Sequence, residues 1–124
     1  MEPSKAIEIN AFVPARDFAL SKQFYSDLGF SLLWGNDDIA QFRIGACTFL
    51  LQRFHVKEHA ENFMMALMVE DADAWWDHIK RIGLAEKYPG RMLKPPTMQP
   101  WGLRVLYLSD PSGVLWHIQD KKHA

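Results

Sequence analysis

The chain has 124 residues, 48% hydrophobic and 23% charged, the make-up of one ordinary globular domain with room for a single core. With Lys+Arg at 14 and Asp+Glu at 15 the net charge is −1, which leaves no basic footprint for nucleic acid or an anionic membrane surface. The one cysteine, Cys47, excludes an internal disulfide framework and a multi-thiolate zinc site, and suits a reducing cytoplasm.

The first residues, Met1-Glu2-Pro3-Ser4-Lys5 and then Ala6-Ile7-Glu8-Ile9-Asn10, lack the unbroken apolar run of a signal peptide. No segment reaches the roughly 20 apolar residues of a membrane span, so a soluble cytoplasmic protein is expected. Five tryptophans and eight phenylalanines must be covered or used.

Ile7 to Val13 alternates like a strand, closed by Pro14, which has no N–H for a ladder. Asp17 is placed to cap a helix whose apolar face carries Leu20, Phe24 and Leu28 at i, i+4 spacing beside Tyr25, with Gly29 ending it. Strands follow at Phe30 to Trp34, at Ile39 to Ile44 and, past the tight turn Gly45-Ala46, at Cys47 to Gln52. Arg53 to Asn62 is polar and aperiodic, a linker. The plan then restarts: Phe63 to Val69 is an apolar run, Asp71 a cap, and Ala72, Trp75, Trp76, Ile79 and Ile82 a helical face ending at Gly83. The shift that lays Asp17 on Asp71 also lays Gly29 on Gly83 and Leu28 on Ile82, an internal repeat. Lys87 to Gly102, rich in proline and glycine, reads as a long loop. Strands at Leu103 to Ser109 and Val114 to Gln119 flank the turn Asp110-Pro111-Ser112-Gly113. The predicted fold is α+β: two βαβββ modules, the second with a long insertion. One domain over 1–124 is expected, with module one at about 5–54, the linker at about 55–62 and module two at about 63–120.

Alternation divides each strand into two faces. One set is nearly all apolar: Ile9, Ala11 and Val13; Cys47, Phe49 and Leu51; Phe63, Met65, Leu67 and Val69; Val114, Trp116 and Ile118. Helices should cover it, and Trp75, Trp76 and Trp116 then belong to the core. The opposite set carries Asn10 and Phe12; Thr48, Leu50 and Gln52; Met64, Ala66 and Met68; Leu115, His117 and Gln119. Strands curved around such a lining would make a small-molecule site, with Met64 and Met68 an adaptable wall; the same lining would also suit the closing face of a dimer.

Val13-Pro14-Ala15-Arg16-Asp17, Phe24-Tyr25-Ser26-Asp27-Leu28-Gly29-Phe30, Val69-Glu70-Asp71, Pro100-Trp101-Gly102 and Ser109-Asp110-Pro111-Ser112-Gly113-Val114-Leu115-Trp116 together resemble the vicinal-oxygen-chelate superfamily. That superfamily includes glyoxalase I, ring-cleaving dioxygenases and the fosfomycin- and bleomycin-resistance proteins. The Pro-Trp-Gly element is most similar to the bleomycin-resistance branch. The resemblance implies that the two modules form a U-shaped mixed sheet around a cleft, with helices on the outer face, in a homodimer with clefts shared between chains. It also implies four metal-ligand positions, held here by Asn10, Leu50, Met64 and His117, with the register at Leu50 open by one residue to Phe49. Only His117 among these is a strong donor for a divalent metal, so no cofactor is expected. A divalent metal, with ligands recruited from the long loop, is the alternative.

Other constellations carry less. His55 and His59 stand at i, i+4 without the glutamate of the zincin pattern and fall in the linker, as surface histidines would. Cys47 lies on the apolar parity, as an inert small hydrophobe would. Thr48 is the one hydroxyl on His117's face, with no oxyanion hole in view. His117 either orients a ligand or bonds a neighbour such as Gln119 or Arg104. Trp34, beside Asp37 and Asp38, and Trp101, in the long loop, suit stacking on a flat or cationic ligand, and equally the rim of a cleft or dimer seam.

The expected ligand residues are thus Asn10, Phe12, Trp34, Leu50, Met64, Met68, Trp101, Arg104 and His117. The expected function is metal-independent binding of a flat, apolar or weakly cationic small molecule, resembling antibiotic-resistance proteins. The alternative is a metal-dependent lyase or dioxygenase with rewired ligands.

Overall fold

The structure, a computed structural model, describes residues 3–122. In chain order it contains β1 (Phe12–Pro14), α1 (Phe18–Leu28), β2 (Ser31–Gly35), β3 (Ile39–Ile44), β4 (Cys47–Gln52) and α2 (Lys57–Asn62). The second half contains β5 (Met64–Met68), α3 (Ala72–Arg81), α4 (Leu84–Lys87), β6 (Leu93–Met98), β7 (Arg104–Ser109) and β8 (Leu115–Asp120). Two four-stranded mixed sheets result, ordered β1-β4-β3-β2 and β5-β8-β7-β6. In each, the first strand of the module runs parallel to the last and the other neighbours are antiparallel. These are the two expected βαβββ modules, and the internal repeat is their shared plan.

Local chemistry sets the helix ends. The Asp17 carboxylate accepts from Leu20 N at 3.1 Å, and that of Asp71 from Asp73 N at 2.9 Å and Ala74 N at 3.3 Å, each satisfying first-turn donors left free by the helix. Gly29, with φ 123°, turns the chain out of α1 while its N–H donates to the Tyr25 and Ser26 carbonyls. The hydroxyl of Tyr25 donates to Asp110 Oδ2 at 2.6 Å and accepts from Trp116 Nε1 at 2.9 Å. Its ring sits edge-on to Phe49, with centroids 4.8 Å apart. These contacts tie α1 to both sheets within one buried cluster.

Several expectations are corrected. The first strand is confined to Phe12–Pro14, and Ile7 and Ile9 are 83% and 92% exposed rather than covered. Pro14 ends the strand as its last residue rather than just beyond it, and is tolerated there because β1 is an edge, where a missing N–H leaves no broken ladder. The linker holds a short helix, α2, and a second short helix, α4, follows Gly83. The stretch from Lys87 to Gly102, expected as loop, contains β6. Pro95 and Pro96 are tolerated there because β6 too is an edge strand, with a register shift between Lys94 and Thr97. Trp116 is buried as expected, but Trp75 and Trp76 are only half-buried at the margin of the cluster. Cys47 is exposed, because the hairpin end of β4 runs past the buried stretch that starts at Phe49.

Candidate functional site

On the first sheet the pairings Phe12↔Leu50, Gln41↔Leu50 and Trp34↔Gln41 put these four side chains in one row on the face away from the core. Phe12 and Trp34 are about half exposed, whereas Gln41 is buried. The Gln41 carboxamide organises the row. Its oxygen accepts from Trp34 Nε1 at 2.9 Å, and its nitrogen donates to Glu8 Oε1 at 2.8 Å and Asn10 Oδ1 at 3.3 Å. Asn10 Nδ2 in turn donates to Glu8 Oε1 at 3.0 Å. Sequence reasoning missed Gln41 and Glu8. The available signal was a polar residue between Ala40 and Phe42, on the parity of Leu50. Of the two acids beside Trp34, Asp38 is already paired with Arg53 at 2.9 Å.

On the second sheet Ala66, His117 and Tyr107 form a row, with Met64↔Leu115 and Met68↔Gln119 in the rows on either side. Met64 is 61% exposed, an apolar surface with nothing over it in the single chain. His117 stands edge-on to Tyr107, with ring centroids 4.9 Å apart. Its Nε2 is buried with no hydrogen-bond partner among the described residues, and burial pushes its pKa below the usual imidazole value. The partners expected from sequence are not used. Arg104 is corrected to the other face: Tyr107 and Val105 share His117's side, so alternation turns Arg104 to α3, where its guanidinium donates to both carboxylate oxygens of Asp73 at 3.0 and 2.5 Å.

The structure therefore groups Phe12, Trp34 and Leu50 on one sheet, with Asn10 ahead of β1 and held to it through Gln41, and Met64, Met68 and His117 on the other, with no ladder between the sheets. Trp101 projects from the turn between β6 and β7, 59% exposed. At the seam between β4 and β5 lies a cavity of about 180 Å³, walled by Phe30, Cys47, Phe49, Met65, Met68 and Trp116, with Thr48 at its edge. Met68 is the one predicted ligand residue that lines it. As a donor set, Asn10, Leu50, Met64 and His117 offer one imidazole, one amide already engaged by Gln41, a thioether and a hydrocarbon. That set does not fit a divalent metal, which needs about three nitrogen, oxygen or thiolate ligands. Among the described residues no three His, Cys, Asp or Glu side chains come together, His55 and His59 included.

Paired βαβββ modules, each with one apolar, sparsely polar open face, define the fold class of the chain. The chain belongs to the Glyoxalase/Bleomycin resistance protein/Dioxygenase superfamily, whose family model matches residues 8–118. Among solved structures it is similar to the bleomycin-binding protein of Streptomyces verticillus complexed with copper(II)-bleomycin, at 25% identity and TM-score 0.77 over 93% of this chain and 96% of that one. A bleomycin resistance determinant encoded on the transposon Tn5 shares the fold at 23% identity and TM-score 0.80, over 93% of this chain and 98% of that one. Lactoylglutathione lyase from Agrobacterium tumefaciens does so at 16% identity and TM-score 0.70, over 98% and 97%. No curated protein matches the chain by sequence.

Proposed function

We propose that the protein is a binding protein that sequesters a flat, apolar or weakly cationic small molecule, without a metal, in clefts shared between the two chains of a cytoplasmic homodimer. The observation that carries this is the lining: Phe12, Trp34, Leu50, Met64 and Met68 present apolar surface around few polar points, and the inherited ligand positions carry one imidazole. The similarity to proteins described as bleomycin-binding supports a bulky, partly aromatic ligand. Pairing of two copies is supported by the uncovered Ile7, Ile9 and Met64, which a second chain would remove from water. Near-neutral net charge limits how cationic the ligand is.

The test is a tryptophan fluorescence titration with bleomycin and a panel of planar aromatic cations. Saturable quenching in the wild type, weakened about tenfold or more by Trp101→Ala, is the expected result, since a desolvated cation–π contact contributes roughly 2 kcal/mol. No saturable quenching, or quenching indifferent to Trp101, overturns the reading. The unpartnered His117 Nε2 favours a second reading, a metal-dependent lyase or dioxygenase. Stoichiometric Ni, Zn, Mn or Fe in protein purified without chelator, lost in His117→Ala, would establish that one instead.

A further inference from the structure

Four basic side chains, Arg16, His55, Lys57 and Arg91, come from three separate segments to line one open cavity of about 160 Å³ beside the Pro111-Ser112-Gly113 turn. Four cations elsewhere in the described chain are paired with carboxylates: Arg53 with Asp38, Lys80 with Asp77, Arg104 with Asp73 and Lys122 with Asp71. Arg16, Lys57 and Arg91 take part in none of these pairs. One carboxylate, Glu61, lines the cavity, against three fixed positive charges and an imidazole. The neighbouring Asp110 is not an additional surface acid. It is fully buried, with its oxygens engaged by Tyr25 Oη and by the N–H groups of Ser112 and Val114.

The floor of the cavity is rigid. Arg16 N–H donates to Ser112 Oγ at 2.9 Å, and the turn is closed by Gly113 N–H on the Asp110 carbonyl at 3.1 Å, with Gly113 at φ 94°. Like charges held around a fixed concavity repel one another unless an anion enters, and a dianion offsets the excess left after Glu61. Cations that converge from several segments suit a tetrahedral group with acceptors on all sides, whereas a planar carboxylate is matched by one bidentate arginine. We propose that this cavity binds the phosphoryl group of a small molecule, at a site separate from the two open sheet faces. None of the ligand residues assigned to those faces lines it, so the proposal stands apart from the function proposed above.

Inorganic phosphate and phenyl phosphate, titrated at constant ionic strength and followed by the backbone amide resonances of Ser112 and Gly113, test it. Saturable shifts are expected with both, and tighter binding of the ester assigns an organic phosphate over the free ion. Arg16→Ala with Arg91→Ala should weaken binding about tenfold or more, and Glu61→Gln should tighten it about threefold, while Arg53→Ala changes nothing. All these side chains lie outside the core, and the gain from Glu61→Gln is a result that misfolding cannot mimic. Shifts that sodium chloride reproduces, or phosphate affinity unchanged in the double variant, overturn the proposal.

Discussion

Tyr25 and Asp110 explain why two short motifs far apart in the chain, FYSDLGF and DPSG, occur together. The first puts a phenol on the buried face of α1, the second puts a carboxylate under a turn, and the 2.6 Å bond between them joins the modules. Burial, then the nearby Asp110 carboxylate, pushes the Tyr25 pKa well above its usual value, so the phenol remains a donor. Tyr25→Phe leaves Asp110 Oδ2 and Trp116 Nε1 buried and unpaired. It should cost about 1–3 kcal/mol in urea unfolding, with little change in the dependence on denaturant. A variant as stable as wild type would show that the bond contributes nothing. His117 makes a different prediction. Burial lowers its pKa, so as pH falls below about 6.5 the unfolded chain takes up the proton first. Stability should be fully present above that pH and be lost as pH falls toward the lowered folded value. His117→Gln should flatten that part of a melting-temperature profile, and an unchanged slope would count against a neutral, buried imidazole.

At the scale of elements, those with a helical period or a hairpin signal were legible, and those held by distant partners were not. Asp17 and Asp71 mark their helices because a cap is a local bond, and Ile39–Ile44 with Cys47–Gln52 is set by its own two-residue turn. Ile7 to Val13 alternates as well as any strand here, yet only its end is paired, because alternation states which side chains want cover and not whether this chain supplies it. Pro95-Pro96 looks like a loop because proline denies a ladder. An edge strand needs only one side of its ladder, which the sequence does not display. The candidate site divides in the same way. Parity located Met64, Met68 and His117 on one face, but Arg104 was misassigned because the pull of Asp73 on the first turn of α3 is a tertiary fact. Gln41 and Glu8 escaped notice because an isolated polar residue in a strand does not announce the network it anchors.

At the scale of the molecule, the positions that the resemblance marks for metal ligands are split, Leu50 on one sheet with Asn10 just ahead of β1, and Met64 and His117 on the other, with no ladder joining the sheets. A cleft assembled from both chains would bring module one of one copy against module two of the other, so ligand binding and dimerisation would be linked. A ligand that binds only the dimer draws monomers into it, and dilution below the dimer dissociation constant must weaken apparent affinity, since part of the binding energy is then spent on association. Quenching titrations on either side of that concentration should differ by about tenfold when a tenth of the protein is dimeric at the lower one. Sedimentation velocity under the same conditions should show the dimer fraction rising with ligand. Affinity independent of dilution, while sedimentation shows monomer, would place the complete site within one chain. The seam between β4 and β5, where Met68 meets Cys47 and Trp116, would then be the ligand's place, and Met68→Ala rather than Met64→Ala would weaken binding.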